Sequence, residues 1–216
     1  VAKAWTKSFV KEVTGILIQR GACAFDELKP DDIVVPLMEV YRCKLDKEGL
    51  IDKLKCRIVF RGDLYDPKDP QDPWNPHASF LALKIFLALC ARFGIFPVQI
   101  DFLLAFLQAK MRERVFVEFP EKWKPFLPEH LHKWIGIPLL LKRALYGYNY
   151  SGKFLYQDQA EFLEQQGFEP SGLPGLWFRR QGEHITVFLH YVDDILCAGT
   201  DQSTQPEFLN ALRKRF

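Results

Sequence analysis

The sequence predicts an α+β fold in which antiparallel hairpins are joined by amphipathic helices. Three observations carry that expectation. Stretches 33–61 and 185–198 are each apolar and β-branched on both sides of a short polar turn. Segments 2–20, 78–93 and 154–166 carry apolar residues at helical spacing and run into Gly21, Gly94 and Gly167. At 216 residues and 48% hydrophobic content the chain can bury a real core, in one large domain or two small ones.

In chain order, Trp5, Phe9, Val13, Ile16 and Leu17 make one helical stripe. The first hairpin follows: 33–45 runs into Asp46-Lys47-Glu48-Gly49, and 50–61 returns. On the return strand Leu54, Cys56, Ile58 and Phe60 face one way, and Lys53, Lys55, Arg57 and Arg61 the other. That cationic row reads either as a solvated face or, opposite a carboxylate site, as a seat for a triphosphate or a nucleic-acid backbone. Residues 63–76, rich in Pro and Asp, form an irregular exposed loop. The helix at about 78–93 is apolar on most sides and is expected to be buried. Residues 96–100 make a short buried strand ending on Asp101, and 115–119 another. Segment 120–138, with four prolines and no periodicity, reads as a connection. A basic, aromatic stretch, 142–153, leads into the third helix. A turn at 170–175, a strand at 176–179 and the second hairpin come next. The last helix starts near Thr204-Gln205-Pro206-Glu207 and ends on Arg213-Lys214-Arg215, a basic run that suits the helix dipole or is simply solvated.

Composition narrows the function classes. A formal net charge of +2 does not announce nucleic acid, so any such footprint must be local. The five cysteines (Cys23, Cys43, Cys56, Cys90, Cys197) are scattered without C-x-x-C, which points to reduced thiols in an intracellular protein and no zinc site. The longest apolar run, 80–96, is broken by Lys84 and Arg92 and reads as a core helix, not a membrane span. The chain opens mid-pattern at Val1 and stops on a helix at Phe216, as expected of a segment of a larger protein.

The stretch with most chemistry is His190-Tyr191-Val192-Asp193-Asp194-Ile195. Adjacent aspartates at a turn are ordinary when solvated. Held rigidly between buried strands, they repel unless a cation neutralises them, and hard oxygen donors suit Mg²⁺. Asp101 is the natural third acid, either delivered to the same site by its strand or merely capping the following turn. Three carboxylates around two divalent ions about 3.5–4 Å apart would form a clamp for in-line phosphoryl transfer.

With these residues in view the chain resembles a known family. Tyr191-Val192-Asp193-Asp194 resembles the Y-x-D-D box of reverse transcriptases, and Val98-Gln99-Ile100-Asp101-Phe102-Leu103-Leu104-Ala105-Phe106-Leu107 their first palm motif. Three further segments resemble the copia-type retrotransposon enzymes. They are Lys55-Cys56-Arg57-Ile58-Val59-Phe60-Arg61-Gly62, Val115-Phe116-Val117-Glu118-Phe119-Pro120 and Lys142-Arg143-Ala144-Leu145-Tyr146-Gly147. The boxes fall in family order across nearly the whole chain. The resemblance implies the fingers and palm of a right-hand polymerase, with a ferredoxin-like antiparallel palm sheet on helices. Residues 1–95 would be fingers, 96–120 palm, 121–150 fingers or connection, and 151–216 palm, without thumb or ribonuclease H. It implies an RNA-directed DNA polymerase with catalytic Asp101, Asp193 and Asp194. Two Mg²⁺ (or Mn²⁺) would be held by Asp101, Asp193, Asp194 and the Phe102 main-chain carbonyl. Lys55, Arg57, Phe106, Tyr150, Ser151 and Gly152 would meet the incoming deoxynucleotide, with Phe106 blocking a ribose 2′-hydroxyl. From the residues alone Phe106 reads equally as core. Lys53, Arg61, Lys153 and Tyr191 would contact template and primer. The implied partners are RNA or DNA template with primer, dNTPs, and the rest of a polyprotein, integrase upstream and thumb and ribonuclease H downstream. No membrane is implied, and the implied location is a cytoplasmic particle with access to the nucleus.

One departure stands out. The family box usually reads Y-G-L-K-Q followed by A-P or S-G, whereas this chain has Tyr146-Gly147-Tyr148-Asn149-Tyr150-Ser151-Gly152. Tyr150 can stack on a base or sugar but lacks the paired donor and acceptor of an amide. Two readings follow: a divergent polymerase, or a catalytically inactive relative that binds nucleic acid or serves as a scaffold.

Overall fold

The computed structural model describes residues 2–67, 72–102, 104–201 and 205–216. Leu103 of the first palm-like box, Thr204 of the last helix start, and part of the 63–76 loop lie outside them. The elements in chain order are α1 (Ala2–Thr14, continued by a π-helical turn Gly15–Gln19), β1 (Cys23–Ala24), β2 (Val34–Leu45), β3 (Ile51–Phe60), α2 (Phe80–Phe93), β4 (Val98–Asp101), β5 (Phe116–Glu118) and β6 (Pro138–Leu141). Then follow α3 (Ser151–Gln165), β7 (Glu169–Pro170), β8 (Leu176–Gln181), β9 (His184–Tyr191), β10 (Asp194–Gly199) and α4 (Gln205–Arg215). The fold is mixed α and β, as expected, and the strands form two five-stranded sheets. It divides into two compact units, Val1–Asp72 with Ala109–Phe154, and Pro73–Gln108 with Leu155–Phe216. Helix α2, placed by the sequence with the first segment, thus packs in the second unit.

The first unit is built on the order β1-β6-β5-β2-β3, antiparallel except for the β2–β5 pair. Cys56, Ile58 and Phe60 of β3 are buried, as their alternation requires. Helix α1 lies along β3, where Ser8 Oγ accepts the Cys56 N–H at 2.8 Å. The far end of the hairpin is exposed, and its turn is tied by Asp46, whose carboxylate accepts the Glu48 and Leu50 N–H groups at 3.0 and 2.8 Å. Strand β6 begins at Pro138, where the expected connection 120–138 ends. Its signal is only a short apolar run behind Pro138, yet it is paired on both sides, to β1 and β5. The segment before it forms two short 3₁₀ turns, Glu121–Phe126 and Glu129–Trp134.

The second unit is the antiparallel sheet β4-β10-β9-β8-β7. Successive residues of β9 point to opposite faces. Val187 and Leu189 join the core with Ala82, Phe86 and Cys90 of α2. Phe188 meets Phe208 of α4 at 5.9 Å, and His190 stacks on Tyr156 of α3 at 5.1 Å. Helix α2 is capped by Ser79, which accepts the Ala82 N–H, and is closed by Gly94 in the left-handed conformation. Two expectations fail here. Helix α2 buries only the stripe Ala82, Phe86 and Cys90, while Phe80, Leu81, Leu87 and Phe93 stay exposed. Burial follows the 3.6-residue stripe that touches the sheet, not the mean hydropathy. Among the described residues strand β4 is an edge strand paired only to β10, and Val98, Gln99 and Asp101 are exposed.

All five cysteines are free, and Cys43 alone is exposed. Burial pushes the Cys23 and Cys56 thiols up to about 12, which leaves them unreactive.

Candidate active site

The second hairpin is built tightly. Tyr191 and Asp194 are its last paired residues, so Val192 and Asp193 form a two-residue turn. Val192 takes φ +57° and Asp193 does not share a positive φ, the signature of a type II′ turn. A β-branched residue is strained there, at a cost of about 1–3 kcal/mol. The neighbouring strand delivers the third acid: β4 pairs with β10 so that Asp101 stands directly opposite Asp194. Residues directly opposite in an antiparallel pair share a face, and two like charges there repel. The Phe102 N–H donates to the Asp193 carbonyl at 3.2 Å, which ties the end of β4 to the turn.

Hard carboxylate oxygens suit Mg²⁺, but their convergence does not yet fit. Among the described residues no three His, Cys, Asp or Glu side chains gather closely enough to hold an ion. The arrangement is a carboxylate pair in register with a third beside it, not a closed ligand set. Tyr191 is 55% exposed, and its ring lies 5.2 Å from that of His77. Phe106 sits half-buried in a 3₁₀ turn, Ala105–Gln108, a few residues beyond Asp101.

In the first unit the cationic row is wider than the sequence suggested. Arg42 of β2 lies opposite Lys55, and Lys44 opposite Lys53. Strand alternation alone could not find these partners, because the register fixes them. Two like-charged pairs on one ribbon face repel unless a polyanion lies across them. Burial, then Arg57, lowers the Lys55 pKa; Glu12 opposes this, and Lys44 and Lys53 add to it. Arg57 lies over the Tyr146 ring at 5.0 Å, which joins two of the boxes quoted above. Arg61 differs from the expectation of a free cation. It lies just beyond β3 and its guanidinium is held by both Asp63 oxygens, at 2.7 and 2.6 Å. Lys153 donates to the Asp72 carbonyl at 3.2 Å.

Tyr150 also departs from its expected role. It is 3% exposed, with its ring against Tyr148 at 5.6 Å and Phe154 at 6.2 Å, so it presents no free face to a base. Ser151 starts α3 with its hydroxyl donating to the Leu145 carbonyl at 2.5 Å, and Gly152 is half-buried beside it. The loop before α3 lies close against β3. The Phe60 N–H donates to the Tyr146 carbonyl at 2.7 Å. A Cβ on Gly147, where φ is +86°, would lie 2.2 Å from the Phe60 carbonyl oxygen, and one on Gly62 2.3 Å from that of Gly147. Both glycines are therefore explained by close backbone approach.

Comparison with known proteins decides the family. Residues 27–216 match the family described as reverse transcriptase (RNA-dependent DNA polymerase). The chain belongs to that family. Its relatives are of the copia type. Over 182 residues it is 25% identical to the retrovirus-related Pol polyprotein from transposon TNT 1-94 of Nicotiana tabacum, covering 82% of this chain and 13% of the relative. It is 26% identical over 191 residues to the Pol polyprotein from transposon RE2 of Arabidopsis thaliana, covering 87% and 13%. The yeast transposon Ty1-H Gag-Pol polyprotein matches at 26% over 166 residues, covering 75% and 8%. The chain thus spans only a small part of the curated relatives it matches.

The altered Y-G-L-K-Q box has a physical account in this chain. Tyr148, in place of the usual Leu, is 4% exposed, and its hydroxyl donates to Glu113 Oε2. The Tyr65 hydroxyl donates to the same oxygen at 3.0 Å. The rings of Phe60, Tyr65 and Tyr148 pack within 5.2–5.6 Å of one another. Burial, then the bond to Glu113, raises both phenol pKa values. Glu113 and Tyr65 belong to none of the quoted boxes, so sequence reading had no signal for this brace.

Proposed function

We propose that this reverse transcriptase domain adds deoxynucleotides to a primer 3′-hydroxyl on an RNA or DNA template. The observation that carries the reading is the register of β4 on β10, which sets Asp101 opposite Asp194 and beside the Asp193 turn in a chain of this family. Asp101, Asp193 and Asp194 are the catalytic acids. Divalent cations, Mg²⁺ or Mn²⁺, are the expected cofactor, and binding them requires the carboxylates to draw together, with the Phe102 carbonyl as a further donor. Lys55 and Arg57 meet the triphosphate. Arg42, Lys44 and Lys53 extend that cationic face toward the nucleic-acid backbone. Phe106 excludes the ribose 2′-hydroxyl. The two sheets serve as fingers and palm, within a longer polyprotein of a retroelement particle.

Primer extension on an RNA template, with dNTPs and rNTPs run in parallel, tests this. Extension with dNTPs alone is the expected result. Extension with rNTPs at the same rate would remove the role given to Phe106. One observation favours a second reading, an inactive nucleic-acid-binding relative: Tyr150 is buried where the family carries a Gln. Absence of extension together with retained, salt-sensitive nucleic-acid binding would select that reading.

A further inference from the structure

The first unit holds a pocket that the polymerase reading does not use. Its volume is about 320 Å³, within the range of small-ligand sites. Aromatic rings make most of its wall. Phe9 and Trp123, almost fully buried, form the deep part, and Tyr41 and Phe126, both about half exposed, form the rim with Trp5. Trp5 meets Tyr41, and Phe9 meets Trp123, edge to face at 5.1 and 5.2 Å. In such pairs the ring that offers its edge keeps both faces free of its partner.

Charge identifies the occupant. The acid in the wall is Glu39, whose Oε2 accepts the Trp123 indole N–H at 2.8 Å and is thereby fixed. Its other oxygen holds the Lys122 ammonium at 3.2 Å. The carboxylate that the pocket presents thus already holds an ammonium group of the chain's own. Lys122 is 67% exposed, and an exposed ion pair of this kind is weak enough to be displaced. A carboxylate within a set of aromatic rings favours a cation that sheds water easily, because ring faces attract a cation but cannot hydrogen-bond it.

We propose that this pocket binds a methylated ammonium group, which displaces Lys122 from Glu39 and packs against the rings of Trp5, Tyr41 and Trp123. The group can come from a choline-like molecule or from a trimethylated lysine side chain, which share that head-group chemistry. Because none of the residues lining the pocket is given a role in the polymerase reading, the proposal stands or falls independently of it.

The test titrates the whole chain with choline, with Nε-trimethyl-lysine, and with 3,3-dimethyl-1-butanol, the uncharged carbon analogue of choline, following tryptophan fluorescence. Saturable binding of at least one cation is expected, with the uncharged analogue at least about tenfold weaker. Binding of both cations means that the head group alone is read; binding of trimethyl-lysine only means that the longer side chain is needed. Glu39→Gln keeps an oxygen for Trp123 and should weaken the cation severalfold. Lys122→Met removes the internal competitor and should tighten it. Equal binding of the uncharged analogue, or no saturable response to either cation in both the native chain and Lys122→Met, would overturn the proposal. Primer extension by Glu39→Gln should match the native chain whatever the binding result.

Discussion

His190, on the strand that leads into the aspartate turn, should make the second unit sensitive to acid. It is 1% exposed, and among the described residues neither ring nitrogen has a hydrogen-bond partner. Burial, with a smaller contribution from His77, pushes its pKa from 6.5 down to about 4. The folded state therefore resists taking a proton that the unfolded chain accepts readily. The stability tied to the neutral ring is fully present above about pH 6.5 and is lost as pH falls toward 4. At about 1.4 kcal/mol per pH unit, a shift of this size amounts to roughly 3 kcal/mol across that window. His190→Phe keeps a ring against Tyr156, cannot titrate, and removes two unpartnered buried nitrogens. It should be more stable than the native chain at pH 7 by about 1–3 kcal/mol, and the gap should widen as pH falls. Urea unfolding of both proteins from pH 7.5 to 4, followed by circular dichroism, measures the difference directly. Parallel stability curves would refute the account, because they would mean that His190 binds its proton equally in the folded and unfolded states.

Other consequences are checked as simply. Tyr148→Phe keeps the ring packing and deletes one donor to Glu113, so it should cost about 1.5–3 kcal/mol by urea unfolding. The raised phenol pKa values mean that the brace contributes fully below about pH 10 and is lost at higher pH, so the variant should lose less stability in alkali. Gly147→Ala places a methyl against the Phe60 carbonyl at a positive φ and should cost about 3 kcal/mol or more, read as a large drop in the urea midpoint. Replacing Arg42 and Lys44 by Gln should flatten the salt dependence of single-stranded nucleic-acid affinity by about 0.7 per lost contact, measured by anisotropy across a salt series. An unchanged slope would make that ribbon face a solvated surface.

Much of the fold was legible where one face of an element is buried and the other is not. The two hairpins, the glycine ends of the helices and the alternation of β3 all follow from period and turn chemistry. Strand β6 was not legible, since Leu139, Leu140 and Leu141 are all buried, and a strand covered on both faces loses the alternation that marks a half-buried one. The exposure of β4 and of much of α2 was missed for a related reason: an apolar run states what can be buried, while the topology decides what is. At the site, Asp101, Asp193 and Asp194 could be named from their positions at strand ends, and the register brings Asp101 to Asp194. Arg61 is held by Asp63, two residues on, and Tyr150 packs on its near neighbours Tyr148 and Phe154, local pairings that the motif roles passed over. The Glu113 brace, by contrast, depends on contacts between residues far apart in sequence. The same holds for the cross-strand cations Arg42 and Lys44, which belong to no motif.

The proposed polymerase activity depends on the acids on β4 and at the β9–β10 turn. Its most direct test is primer extension by Asp101→Asn and Asp193→Asn, with primer–template affinity measured on the same preparations. Extension by the native chain that vanishes in both variants, at unchanged or tighter nucleic-acid affinity, is the predicted result. Extension that survives either substitution at its native rate would contradict the claim.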